Sequence, residues 1–368
     1  MTSICFVNLF SFSYFSNDST VSIGGTESQL GQISEILSTN KNFKIKFIVG
    51  DFGTVNQKKK NIEIIKSISL KKNIFNILAV PFVLWKSLVK ADSDIFISSS
   101  AGFEIGLIAL FCKIYGKRFI FRSASSVDCT NEKIRLMGYF FGQVYRYGLI
   151  NADIVIVQNK QQKSDLKKFH NKNSIVIRNG INIENSIKAK GEYILWVGSA
   201  REVKQPNLFL QLCRLLPDNK FVMIMPKSSN RILWNTIYNE SKYINNLKFV
   251  ESVPFDKIQT YFNKAKLLVG TSKFEGFPNV YLQACVGKTP VVSLNVNPDN
   301  FISTYNLGYF SNNDFGLFIK QVDRLLRNSG EYKTKSSNAY KYVCANHDIR
   351  QISKQWSSLI LSQTHRIR

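Results

Sequence analysis

The feature that most limits how this chain can fold is a twofold alternation of short and long patterns. Short β-branched apolar runs at 4–8, 44–49, 62–67, 94–98, 118–122, 154–158 and 175–178 are separated by helical patterns such as 26–38, 103–115 and 133–150. A second series restarts at 193–197 and continues through 220–225, 247–251, 267–271 and 290–294. Its helical spacing falls at 205–216, 232–242, 255–264 and 278–287. Strand, helix and strand in succession close a parallel pair through a crossover, so each series predicts one doubly wound α/β sheet. The 368 residues suffice for two such domains. The turn Arg178-Asn179-Gly180 closes the first series. The polar stretch after it sets the expected division: a first domain over 1–181, a linker over 182–191 and a second domain over 192–347.

Composition narrows the classes. Hydrophobic residues make 44% and charged residues 20%, a globular rather than disordered profile. No apolar run reaches the roughly 20 residues of a spanning helix. The N-terminus lacks the basic segment of a secretory signal, so a cytoplasmic location is expected. Six cysteines without a C-x-x-C pair predict a reducing compartment, and three histidines without ligand spacing predict no metal site. The net charge of +24 favours anionic partners, and it is spread evenly: 24 Lys+Arg against 12 Asp+Glu up to residue 180, and 25 against 13 after it. An even spread without interleaved aromatic and basic signatures argues against a nucleic-acid-binding module. The amphipathic stretch 70–91, with Lys71, Lys72, Lys86 and Lys90, suits either packing on its own sheet or docking on an anionic membrane. Asp92-Ser93-Asp94 has a D-x-D spacing but precedes a strand, on the side of a sheet away from ligands, and reads as a turn.

Ligands of doubly wound sheets bind beyond the carboxyl ends of the strands. Three clusters lie there. Gly24-Gly25-Thr26-Glu27 leads into a helix, with Thr26 and Gln29 spaced as a capping box. Glycines before a helix N-terminus either admit a phosphate to the backbone or only form the turn. Gly198-Ser199-Ala200-Arg201-Glu202-Val203-Lys204 puts two cations after a strand, as a diphosphate site or as a solvated basic loop. Lys273-Phe274-Glu275-Gly276-Phe277-Pro278-Asn279 feeds a helix that carries Gln283, with Pro278 suited to its first position. Glu275 there either holds a ligand or complements the helix dipole.

These residues resemble glycosyltransferase family 4, of GT-B fold, over nearly the whole chain. Where the family pattern is E-G-F-x-x-x-x-L-E followed by G-x-P-V-V, the chain reads Glu275 to Gln283 and then Gly287-Lys288-Thr289-Pro290-Val291-Val292. Asn295-Val296-Asn297-Pro298-Asp299 resembles polysaccharide-assembly members, and Gly24-Gly25, Asn179-Gly180, Gly198 and Lys204 occupy further family places. The resemblance implies two Rossmann-like domains facing across a cleft, the first rejoined by a C-terminal helix at about 348–368. It also implies a hexosyltransferase that retains anomeric configuration, with no metal and no cofactor. Its partners would be a nucleotide-diphosphate sugar and a glycan or lipid-linked acceptor of surface polysaccharide synthesis, reached at the inner face of the membrane. Lys204 and Arg201 would neutralise the diphosphate, joined by Gly24, Gly25, Thr26, Gly198 and Ser199. Glu275, with the backbone of Gly276, Phe277, Pro278 and Asn279, would hold the donor sugar, and Gln283 the ribose. Arg122, Ser125 and Asp128 would serve the acceptor side. Two places depart from the pattern: Gln283 stands for the second glutamate, and Ser199 for an arginine that Arg201 would replace. A GT-B isomerase or phosphorylase accounts less well for the Glu275 loop.

Overall fold

A computed structural model describes residues 1–16, 23–51, 58–59, 61–68, 74–99, 102–184, 191–227 and 230–364. The chain divides into two compact units, residues 1–180 with 349–368, and residues 181–348.

The first unit is built on β1 (Thr2–Val7), β2 (Phe43–Val49), β3 (Lys58–Lys59), β4 (Ile62–Lys66), β5 (Ile95–Ser98), β6 (Arg118–Arg122), β7 (Ile154–Val157) and β8 (Ile175–Val176). Their order is β3-β4-β2-β1-β5-β6-β7-β8, parallel throughout except for the antiparallel edge pair β3–β4. Its helices are α1 (Phe12–Phe15), α2 (Gly25–Leu37), α3 (Ile74–Ala91), α4 (Glu104–Ile114), α5 (Asn131–Met137), α6 (Tyr139–Asn151), α7 (Lys160–His170) and α15 (Ile349–Thr364). The sheet is buried on both faces, as continuous apolar strands such as Ile-Phe-Ile in β5 require. One core joins α3, α4, α6 and α7 to it through Leu84, Ile108, Leu149 and Leu166. On the opposite face Leu30 and Ile33 of α2 pack with Ile352, Trp356 and Ile360 of α15.

The second unit holds β9 (Tyr193–Val197), β10 (Phe221–Ile224), β11 (Leu247–Val250), β12 (Ala265–Gly270), β13 (Val291–Ser293) and β14 (Gly308–Phe310). Its helices are α8 (Pro206–Leu215), α9 (Arg231–Ser241), α10 (Ile258–Lys264), α11 (Asn279–Val286), α12 (Phe301–Thr304), α13 (Phe315–Arg327) and α14 (Ser329–His347). The strand order is β11-β10-β9-β12-β13-β14. The order turns between β9 and β12, which makes that seam the switch point where doubly wound sheets place their ligands.

All twelve expected strands are present, and β3 and β14 are additional. The helix expected over 133–150 is two helices, broken where Gly138 takes φ +75°. The capping box expected at Thr26 does not form. The helix begins at Gly25, and Gln29 instead exchanges two hydrogen bonds with Gly180, at 2.8 and 3.0 Å. Pro278 precedes the first residue of α11 rather than occupying it. Asp92 pairs with Lys117 at 3.0 Å while Asp94 accepts the Ser3 amide at 2.8 Å, both at the amino end of β5. Residues 70–73 of the amphipathic stretch lie outside the described residues. The rest is α3, and among the described residues no helix is long and apolar enough to cross a membrane.

Candidate active site

The loops after β9 and β12 meet because those strands are neighbours, with Leu195 beside Leu268. Three hydrogen bonds stitch them together. Trp196 Nε1 donates to Thr271 Oγ1 at 2.9 Å, Thr271 Oγ1 donates to the Lys204 carbonyl at 2.7 Å, and the Lys273 amide donates to the Val203 carbonyl at 2.8 Å. Gly198 leaves room for this arrangement, since a Cβ there would stand 2.8 Å from the Trp196 ring.

The result is a direct ion pair between Lys204 Nζ and Glu275 Oε1. Lys204 ends a short 3-10 turn (Glu202–Lys204), after which Gln205 takes a left-handed φ of 48° and Pro206 opens α8. Both side chains keep a wet edge, 16% and 20% exposed, so a ligand has access to each. Arg201 is exposed and turns back on its own loop, its Nε donating to Ser199 Oγ at 3.1 Å.

On the other side of Glu275 the backbone dives into the core. Phe277 is buried, its ring 5.0 Å from Phe301 and 4.8 Å from His347. This anchor fixes the start of α11, where Asn279 lies one turn before the half-buried Gln283. Tyr281 behind them is fully buried with its hydroxyl 2.8 Å from Ser293 Oγ, and burial pushes its pKa up. Trp196 and Thr271 have no place among the expected site residues. The one hint in the sequence is that Thr271 ends an expected strand.

Gly24, Gly25 and Thr26 belong to the first unit, at the N-terminus of α2. The Glu27 carboxylate folds back over Gly24, where a Cβ would stand 2.1 Å from its Oε2. In the same unit, Arg122 ends β6 and is 1% exposed. Its Nη2 donates to Asn179 Oδ1, its Nη1 lies 3.5 Å from Ser99 Oγ, and its Nε has no partner among the described residues. Burial alone lowers its pKa to about 10. Asp128 is buried as well, accepting the Ala124 and Ser125 amides at 2.9 and 2.8 Å, so it closes the loop that carries Ser125. Burial raises the Asp128 pKa against those bonds and against Lys133 at 3.9 Å. Among the described residues no three His, Cys, Asp or Glu side chains converge as metal ligands. Five of the six cysteines are buried and none is bonded to another.

Residues 178–342, which contain both stitched loops, match the family described as Glycosyl transferases group 1. An uncharacterized glycosyltransferase of Methanocaldococcus jannaschii is 23% identical over 268 residues, 71% of this chain and 74% of that protein. Among solved structures, sucrose-phosphate synthase from Thermosynechococcus elongatus superposes with a TM-score of 0.81 at 14% identity, over 100% of both chains. S. aureus TarM, solved with fondaparinux, alpha-GlcNAc-glycerol and UDP, has a TM-score of 0.73 at 13% identity, over 98% of this chain and 99% of its own. The lipopolysaccharide outer core galactosyltransferase WaaB has a TM-score of 0.65 at 17% identity, over 98% and 99%. The chain thus shares the fold of these structures, and its second sheet matches the family of group 1 glycosyl transferases.

Proposed function

We propose that the protein moves a hexose from a nucleotide-diphosphate sugar to a glycan or lipid-linked acceptor, with retention and without a metal or other cofactor. The observation that carries the reading is the Lys204–Glu275 pair, mostly buried but with a wet edge, at the switch point of the second sheet. Each group neutralises the other. A donor with a diphosphate and sugar hydroxyls supplies a counter-charge to Lys204 and hydrogen-bond donors to Glu275, so one ligand satisfies both. Arg201 swings from Ser199 to the same diphosphate, with the Gly198–Ser199 turn beneath it. The start of α11, from Gly276 through Phe277 and Pro278 to Asn279, fixes the sugar, and Gln283 takes the ribose.

Chemistry then rests on positioning and charge. As the glycosidic bond breaks, Lys204 and Arg201 stabilise the negative charge growing on the diphosphate. The acceptor hydroxyl attacks from the face that the nucleotide leaves and passes its proton to the departing phosphate oxygen. Gly24, Gly25 and Thr26 present a helix N-terminus to a phosphate once Glu27 moves aside. Ser125 serves the acceptor, with the buried Arg122 and Asp128 holding the strand end and the loop that carry it. A surface polysaccharide made on the cytoplasmic side suits this chemistry, and WaaB and TarM are similar in fold.

A thermal-shift panel of nucleotide-diphosphate sugars, followed by transfer assays on the hits with and without EDTA, tests the proposal. A specific donor raises Tm, and transfer survives the chelator. No stabilisation by any nucleotide sugar sinks the donor reading. Loss with EDTA and rescue by manganese sinks metal independence.

A further inference from the structure

Three of the five most exposed large apolar side chains of the first unit, among the described residues, sit at one point, the elbow between α5 and α6. The run Leu136-Met137-Gly138-Tyr139-Phe140-Phe141 carries no charge, and Leu136, Tyr139 and Phe140 are 69%, 86% and 72% exposed. An elbow of this kind is costly to leave in water, and a loose one would fold its rings back onto the protein. This one is held outward. Gly138 makes the bend with φ +75°. Gly142 presses α6 onto α5, where a Cβ would meet the Ile134 carbonyl at 2.6 Å. Gly106 and Gly148 bring α4 and α6 into backbone contact, where a Cβ would stand 2.4 Å from the Val144 carbonyl and 2.5 Å from the Ile105 carbonyl carbon. The Tyr145 hydroxyl, donating to the Asp128 carbonyl at 2.8 Å, pins α6 to the loop before α5.

The neighbouring helices α3 and α4, which share the same core, continue this character outward. Phe82 and Ile114 are 75% and 60% exposed. Near these apolar groups in sequence lie Lys86, Lys90, Lys113, Arg135 and Arg146, all exposed, against two exposed carboxylates, Glu132 on α5 and Asp92 just past α3. By contrast Leu361 is the one large apolar side chain exposed on α2 and α15, which cover the opposite face of the sheet. Neutral aromatic tips accompanied by cations match the two layers of an anionic bilayer surface: rings reach the acyl boundary and cations stay among the phosphates.

We propose that the α5–α6 elbow is a rigid wedge that docks the first unit on an anionic phospholipid surface, with the cations of α3, α4 and α6 seated on the headgroups. One short helix, α5, separates the elbow from the Ser125–Asp128 loop, so docking brings the proposed acceptor side near the bilayer. The wedge itself does not depend on that assignment.

Sedimentation of the full chain with vesicles of phosphatidylcholine, alone or with phosphatidylglycerol, tests it. The wild-type protein is expected to bind the phosphatidylglycerol vesicles and to keep part of that binding in 0.5 M salt, where purely electrostatic attachment is screened. The triple variant Leu136→Ser, Tyr139→Ser, Phe140→Ser should bind at least tenfold more weakly with an unchanged Tm, and Phe140→Trp should bind as the wild type does. Equal binding of the triple variant overturns the wedge, leaving charge elsewhere as the cause. A wild-type dimer that the triple variant converts to a monomer, without vesicle binding, overturns it in favour of a second copy of the chain.

Discussion

Lys204 and Glu275 meet across 71 residues of sequence, and each is the other's partner until a ligand arrives. Removing one therefore changes what the other can do. Lys204→Ala takes a charged hydrogen bond from the diphosphate, about 1.5–3 kcal/mol, so nucleotide-diphosphate affinity should fall at least tenfold by calorimetry. Glu275→Gln keeps the shape but frees Lys204. Its affinity for nucleotide diphosphate alone should hold or rise while turnover with saturating donor collapses, the signature of an interaction lost in the transition state. A wild-type turnover in Glu275→Gln would remove the carboxylate from the reaction. At the α2 N-terminus the sign is reversed. Glu27 covers Gly24, and replacing it by Gln removes a carboxylate that repels phosphate, so donor affinity should rise. Equal affinity in Glu27→Gln would mean that the phosphates do not reach Gly24.

The elements show what local patterns carry and what they do not. Apolar runs of five or six residues mark every central strand, because both faces of these sheets are buried. The last strand, β14, has three residues and begins at Gly308, where a Cβ would stand 1.7 Å from the Val291 carbonyl oxygen. A strand that short and that dependent on a close approach shows no periodicity. The break at Gly138 was hidden for the opposite reason. Apolar spacing continues through it, and one glycine inside a helical pattern is usually tolerated. In the candidate site, glycines and charges after strands made both loops stand out. Their contact follows from β9 lying beside β12, which no local pattern contains, and so Trp196 and Thr271 went unread. The glycine crossing of α4 and α6 gives a direct test of such hidden packing. Gly148→Ala drives a methyl group onto the backbone at Ile105 and Gly106, within 2.6 Å. Overpacking of this kind costs about 1–3 kcal/mol, or more where only backbone can yield. Denaturant unfolding should show that loss, and a neutral result would mean that the helices separate freely.

At the scale of the whole chain, the first unit is not sequence-continuous. The chain leaves it after Gly180 and returns at Ile349, so α15 completes a core begun by the N-terminus. Trp356 is the largest fully buried side chain there, packed in the cluster that holds Leu30, Ile33 and Phe47. Its indole N–H has no hydrogen-bond partner among the described residues. The ring and the N–H therefore act in opposite directions: the ring buries apolar area, and the unpaired donor carries a desolvation penalty. Trp356→Ala removes the ring and leaves a cavity, costing about 3–5 kcal/mol. Trp356→Phe keeps most of the ring and discards the unpaired donor, so its loss should be much smaller. Because α15 belongs to the first unit, the damage should be local. Calorimetry of Trp356→Ala should show the transition of the first unit moved down in temperature, while nucleotide diphosphate still stabilises the second. If Trp356→Phe destabilises as much as Trp356→Ala, the indole N–H has a partner in the folded protein.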